Sequence, residues 1–406
     1  MLSINSKRLL ASIDELSEFG STDDRGITRI CLTPSDAKAR EFVAERLRGI
    51  GFPVSIDSVG NVFAVSEMSL QKEIVLTGSH TDSVVNGGRL DGNLGVLAAI
   101  EVASTLKGSG RKTTRALGVV DFSNEEGVRY PPTTGSKYFA GLLSREEIYE
   151  IRDSDGIAYL DAVRRSGLKT SDLPGPRDRI SSFIELHIEQ GPILEEEEIQ
   201  IGIVESIVGI KQFTVRIAGD ADHAGTTPMD LRRDSLVAAS KIILEVDQLA
   251  KKIGNGAVGT VGRIAVLPGA PNVIPGSAEL TIDFRHTSSE VLGSLESQLL
   301  EACNKASNET KTEVNLTQRA ELEPAKMSPE IIKVIEESVS ELGLSSKKIQ
   351  SGAGHDSMII SKICNCGMIF VPSARGKSHS PLEFTKSTDL VNGGNVLLNT
   401  VLKLLE

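Results

Sequence analysis

A chain of 406 residues exceeds one ordinary domain, so two are expected. Hydrophobic residues at 39% and charged residues at 24% describe a globular protein with enough apolar side chain for a sizeable core. A net charge of −11, with no long Lys/Arg cluster, argues against a nucleic-acid partner. No apolar run approaches the roughly 18 to 20 residues of a membrane span. The opening Met1-Leu-Ser-Ile-Asn-Ser-Lys7 lacks the apolar core and small-residue cleavage site of a secretory signal, so a cytoplasmic enzyme is expected. A small anionic substrate is compatible with the net charge, because one local arginine outweighs the global field. Cys31, Cys303, Cys364 and Cys366 fit neither a disulfide framework nor a zinc ribbon, and buried free thiols are the expectation.

Apolar residues at helical spacing predict helices over Asn5–Phe19 and Ser35–Gly51, the second with a Ser cap and a closing Gly. Val54–Ser58 and Asn61–Val65 read as paired strands around Val59-Gly60. Glu73–Thr77 is a short buried strand, followed by a helix over Leu94–Leu106, a strand over Arg115–Phe122, a polar helical region from Lys137 to about Arg165, and a strand over Ser182–Ile188. Strands alternating with helices at this spacing imply an α/β fold with a mostly parallel sheet covered by helices on both faces.

The pattern changes after Val208. Strand Gln212–Ala218, helix Asp234–Ile253, strands Gly259–Leu267 and Ser277–Arg285, helix Ser288–Ala306 and strand Glu313–Arg319 follow the β-α-β-β-α-β order of a ferredoxin-like unit. Met327-Ser-Pro-Glu330 then opens a helix, Gly367–Val371 returns to buried-strand composition, and Ser387–Leu405 closes the chain as a helix. Residues 1–208 and 325–406 are therefore expected to form one domain, with 209–324 inserted as a second α+β domain.

Chemistry concentrates at the ends of the sheet strands. Gly78-Ser-His-Thr-Asp82 follows the Glu73–Thr77 strand and leads through a Gly-rich turn to Asp91-Gly92. His80 and Asp82 thus emerge at a carboxyl end, where open α/β sheets collect ligands. His187 and His379 take similar positions, and neutral imidazole with carboxylate is the donor set of a hydrolytic Zn²⁺ or Mn²⁺ site. Asp82 is placed to orient the His80 imidazole, and Asp91 to bridge two ions. Glu125-Glu126, adjacent carboxylates at a strand end, repel each other. A division of labour accounts for both, one ligating metal and the other acting as general base; the pattern alone does not assign them.

Six segments in order carry a family resemblance: Gly78-Ser-His-Thr-Asp82, Leu90-Asp-Gly92, Asn124-Glu-Glu-Gly127, Glu185-Leu-His-Ile-Glu-Gln-Gly191, His223-Ala-Gly-Thr-Thr-Pro228 and Ser378-His-Ser-Pro381. Together they resemble the amidase, hydantoinase/carbamoylase branch of the aminoacylase/carboxypeptidase-like dinuclear metallohydrolases. The branch includes N-carbamoyl-L-amino acid hydrolases and allantoate amidohydrolases. The resemblance implies a zinc-exopeptidase-like catalytic domain with an inserted lid and dimerisation domain whose closure assembles the site, and two divalent ions per subunit. These are Zn²⁺ or Mn²⁺, with Co²⁺ or Ni²⁺ also compatible. Asp91 would bridge them, His80 and His187 holding one, Glu126 and His379 the other, with Glu125 as general base. A histidine at 187, where peptidase relatives place a carboxylate, favours ureido cleavage over dipeptides. The same resemblance makes His223 an oxyanion donor reaching across a homodimer interface, and Asn272 and Arg285 a clamp on the substrate carboxylate. Gln190 and the backbone at Gly354 complete the pocket. Read without it, His223 is a turn histidine, Asn272 ordinary turn chemistry and Arg285 a partner for Asp283. His355 and Asp356 shape their loop, and His286 lies on the surface. The expected reaction is hydrolysis of an N-carbamoyl-L-amino acid to amino acid, CO₂ and ammonia. Allantoate is the alternative substrate, Asp283-Phe-Arg-His286 leaning slightly that way. A dipeptidase, an aminoacylase or a non-catalytic binding protein are weaker readings.

Overall fold

The computed structural model describes residues 2–66, 73–171 and 175–406. The chain divides into two compact units, Met1–Ser206 with Lys326–Glu406, and Ile207–Ala325. Thirteen strands run among the described residues: β1 (Val54–Ile56), β2 (Val62–Val65), β3 (Ile74–His80), β4 (Ala116–Phe122), β5 (Ile180–Ile188), β6 (Ile201–Ile207) and β7 (Gly209–Ala218), then β8 (Val258–Leu267), β9 (Ser277–His286), β10 (Glu313–Leu322), β11 (Ala325–Lys326), β12 (Ser346–Ser351) and β13 (Asn365–Val371).

The first unit is built on a sheet ordered β1-β2-β4-β3-β5-β13-β6-β11, with β12 also paired to β6. Its centre, β4-β3-β5-β13, is parallel, whereas β1, β2 and β6 join antiparallel. Parallel strands are covered on both faces and read as continuous apolar runs. Accordingly every residue of β3 and β4 is buried. The helix Asn93–Ser109 buries nearly its whole circumference, the signature of a helix enclosed by other elements, here β3, β4, β5 and the helices Ser6–Ser17, Pro34–Ile50 and Ser387–Leu405.

Several local expectations are corrected. The second helix begins at Pro34 with Thr33 in the cap position, not Ser35; proline suits the first helical turn because its missing N–H would have no partner there. The polar stretch from Lys137 is three short helices, Thr134–Phe139, Arg145–Glu150 and Tyr159–Ser166. Ser144 and Glu147 form a reciprocal capping box that starts the second of them afresh. Strands β6, β11 and β12 and the helix Asp356–Ile360 were not foreseen. Cys31, Cys303 and Cys366 are buried and Cys364 half-buried, all as free thiols.

The second unit is a four-stranded antiparallel sheet ordered β10-β7-β9-β8, the ferredoxin-like arrangement. One face carries Phe213, Val215, Ile217, Leu280, Ile282 and Phe284 into a core with Ala238, Ile242, Val246, Leu292, Leu295 and Leu299 from the helices Ser235–Ile253 and Ser289–Thr310. The helices start at Asp234 and Ser288, whose side chains accept from first-turn amides. No helix among the described residues is long and apolar enough to cross a membrane.

Candidate active site

The parallel strands of the first unit all end on one edge of the sheet, and the candidate residues gather there. His80 is the last residue of β3, Glu125 and Glu126 follow β4, His187 is the penultimate residue of β5, and His379 lies in the loop after β13. Asp91 is at their centre. Its Oδ1 is 3.1 Å from His187 Nε2 and 3.9 Å from His80 Nε2, while its Oδ2 is 3.2 Å from His379 Nε2. His379 Nε2 is also 3.4 Å from Glu126 Oε2. Two donor sets therefore share one carboxylate: His80, Asp91 and His187 on one side, Asp91, Glu126 and His379 on the other. Glu125 Oε2 stands 3.7 Å from His80 Nε2.

The backbone presets the imidazoles. His80 Nδ1 lies 3.1 Å from the Asp82 carbonyl oxygen and His187 Nδ1 2.9 Å from the Ile188 carbonyl oxygen. A carbonyl only accepts, so each Nδ1 carries the proton and each Nε2 is turned toward Asp91. Burial pushes His80 down to about 4, keeping it neutral. For His187 burial acts the same way but is outweighed by Asp91, which raises it to about 9. Gly92 sits at φ 66°, and a Cβ there would stand 2.4 Å from His80 Cε1, so only glycine fits beneath the ring.

Asp82 does a different job from the one expected. It is its main-chain carbonyl that orients His80; the carboxylate accepts the amides of Glu125 at 3.1 Å and Glu126 at 3.2 Å. Behind it lies Arg40, fully buried, 3.8 Å from Asp82, 3.2 Å from Asp121 and 3.1 Å from Asp36. Burial raises the pKa of Asp82, opposed chiefly by Arg40. Glu125 is held well above the ordinary carboxylate range by burial and then by Asp356, Glu126, Asp82 and Asp91; Glu126 is raised by burial and by Asp91 and Asp82. Burial also acts to raise Asp91, but His187 and His379 hold it well below that range.

This donor set fits divalent cations. Buried carboxylates face one another at the strand ends, one oxygen of Asp91 faces His80 and His187 and the other His379, and Glu126 Oε1 is buried with no hydrogen-bond partner among the described residues. Buried charge of one sign calls for a counter-ion, and imidazole with carboxylate suits zinc or manganese.

Gln190 follows β5, and its Nε2 donates to Asp91 Oδ2 at 2.7 Å, as does Ser378 Oγ at 2.7 Å. Gln190 Oε1 is buried without a partner among the described residues. Gly354 precedes His355, a fully buried ring whose centroid is 4.6 Å from that of His187 and whose Nε2 meets Ser351 Oγ at 2.8 Å. His355 thus packs against a candidate ligand rather than only shaping its loop. Asn124, Gln190 and His379 have φ of 57°, 58° and 53°, the left-handed region that L-residues enter only at a cost.

His223, Asn272 and Arg285 belong to the second unit. The His223 and Asn272 loops are paired through a His223–Val273 bridge and an Ala224 N–H to Asn272 carbonyl bond of 3.0 Å. His223 is exposed, and its Nδ1 accepts the amides of Gly225 at 3.0 Å and Thr226 at 3.2 Å, which leaves Nε2 as the protonated, outward donor. Arg285 Nε donates to Asp283 at 2.8 Å. His286 is buried, not superficial: Ser288 N–H donates to its Nδ1 and its Nε2 meets the Asn255 carbonyl at 3.2 Å.

Comparison with known proteins places the chain in a family. A family model described as peptidase family M20/M25/M40 matches residues 76–403. An N-carbamoyl-L-amino-acid amidohydrolase of Paenarthrobacter aurescens is 37% identical over 405 residues, covering 98% of each chain. An allantoate amidohydrolase of Escherichia coli (strain K12) is 37% identical over 385 residues, covering 94% of each. Among solved structures, an amidase of the hydantoinase/carbamoylase family from Burkholderia multivorans superposes with a TM-score of 0.93 at 33% identity, covering 100% of this chain and 98% of that one. The chain belongs to peptidase family M20/M25/M40. It is a hydrolase, of a family that is metal-dependent.

Proposed function

We propose that this hydrolase cleaves the ureido C–N bond of an N-carbamoyl-L-amino acid, giving the amino acid, CO₂ and ammonia. The observation that carries the reading is Asp91, one oxygen toward His80 and His187 and the other toward His379, with Glu125 beside them. Two ions held by His80, Asp91, His187, Glu126 and His379 would supply Lewis acidity and a water that ionises near neutral pH. Glu125, 3.7 Å from His80 Nε2, takes a proton as water adds to the carbamoyl carbon and delivers it to the leaving nitrogen. Asp82, by fixing the Glu125 and Glu126 amides, keeps the base and the neighbouring ligand in register. Gln190 Oε1 accepts from a substrate N–H, His223 Nε2 donates to the developing oxyanion, and Asn272, Arg285 and the backbone at Gly354 bind the substrate carboxylate.

The first unit is on this reading the catalytic domain and the second a lid and dimerisation domain. The dimer is supported by β8, an edge strand with exposed Val258, Ile264 and Leu267, at 50%, 46% and 67% exposure.

Allantoate is the second reading, favoured by the equal similarity to an allantoate amidohydrolase. Ammonia release from a panel of N-carbamoyl-L-amino acids and from allantoate, beside release of free amino acids from a dipeptide, each with Mn²⁺ or Zn²⁺, separates the readings. Turnover of a carbamoyl amino acid above the others is expected. Preference for allantoate transfers the assignment to it, and cleavage of the dipeptide alone sinks both.

A further inference from the structure

Glu383 lies in the loop between β13 and the last helix, four residues beyond His379, and is 7% exposed. Its Oε1 accepts the amides of Leu90 at 2.7 Å and Asp91 at 3.2 Å. Its Oε2 is 3.0 Å from Ser378 Oγ, which is itself 2.7 Å from Asp91 Oδ2. The carboxylate thus joins two turns that are distant in sequence, one carrying Asp91 and the other His379. The fit is close. A Cβ on Gly88 would fall 2.0 to 2.3 Å from the Glu383 carboxyl atoms, so the side chain occupies the space that a residue other than glycine would fill.

We propose that Glu383 is a positioning residue that locks the Asp91 turn to the His379 turn and thereby sets the affinity for a cation on the Asp91–Glu126–His379 side. The inference rests on the reading of those residues as metal ligands. Without Glu383, the buried Leu90 and Asp91 amides lose their acceptor and Ser378 loses one of its two carboxylate neighbours. Both turns would then be free to drift apart. The His80–His187 side shares Asp91, but its histidines belong to β3 and β5 and the Gly92 N–H lies 3.1 Å from His187 Nε2, so it should be affected much less.

The experiment is Mn²⁺ titration of the full chain, by calorimetry and by metal analysis after gel filtration, with no substrate present. Failure of the proposed substrate therefore leaves its outcome intact. Glu383→Ala should weaken one ion by about 10- to 100-fold and leave the other near wild type. Gly88→Ala, which displaces the carboxylate without removing it, should do the same and serves where Glu383→Ala does not fold. Glu383→Gln should bind both ions nearly as wild type, its oxygen accepting from both amides and its NH₂ donating to Ser378 Oγ. In a His379→Ala background, Glu383→Ala should add no further loss. Wild-type affinity for both ions in the two alanine variants would overturn the proposal. So would equal weakening of both ions with a lowered melting temperature, or a Gln variant as impaired as the Ala variant.

Discussion

Asp82→Asn removes one charge and one acceptor from the buried layer behind Glu125 and Glu126. The carboxylate receives the Glu125 amide on Oδ1 and the Glu126 amide on Oδ2. Asparagine offers a single oxygen, so one buried amide is left facing an NH₂ group, at about 1–3 kcal/mol. The substitution also removes the attraction of Arg40, 3.8 Å away, which at an effective dielectric of about 20 amounts to about 4 kcal/mol. Arg40 keeps Asp36 and Asp121, and relief of the Asp82 desolvation offsets part of the loss. A net destabilisation of about 2–4 kcal/mol is expected, read as a shift of the urea unfolding midpoint at constant slope. With both glutamate amides loosened, kcat/KM for ammonia release should fall by about 10- to 100-fold, carried by kcat. A variant within about 0.5 kcal/mol of wild type and with unchanged kcat/KM would refute the role given to this carboxylate.

Glu125→Gln should bind both ions and fold at least as stably, since it removes a buried like charge, while turnover falls by about 10²–10⁴-fold. Activity near wild type in this variant would return the base assignment to Glu126. Gly92→Ala should drive its Cβ into the His80 ring and weaken the cation on the His80–His187 side by about 10- to 100-fold, measured by Mn²⁺ titration; unchanged binding would mean the ring is not held where the structure puts it. Dialysis against a chelator should abolish turnover and lower the melting temperature while leaving the far-ultraviolet circular dichroism intact, because the apolar core of the first unit does not depend on the ions. Activity that survives chelation with no metal detected would exclude the two-ion reading.

The elements that were legible in the sequence are those whose signal is local. Strands β3, β4 and β13 are apolar runs, and the helices beginning at Ser235, Ser289 and Pro329 carry recognisable caps. Strand β12, Ser-Lys-Lys-Ile-Gln-Ser, has no such run and exists because it pairs with β6, a partner that no local pattern names. The site divides along the same line. Histidines and carboxylates at strand ends announce metal chemistry by type and place. Whether Asp82 orients His80 through its carboxylate or its carbonyl is decided by a difference of less than 1 Å, and spacing cannot resolve it. Arg40 and Glu383 were missed because they meet the site only after segments far apart in sequence are folded together. His286 was misjudged because a polar strand-end residue looks exposed until the Asn255 loop covers it.

Asn124, Gln190 and His379, each in left-handed backbone, stand in the loops that follow β4, β5 and β13. Each holds a local cost of about 1–2 kcal/mol that the surrounding packing must sustain. A search for thermostable variants would be drawn to those corners, where glycine relieves the main chain. It would there exchange durability against turnover, since the side chains lost include a candidate metal ligand and the amide that steadies Asp91. At these three turns stability and activity compete directly.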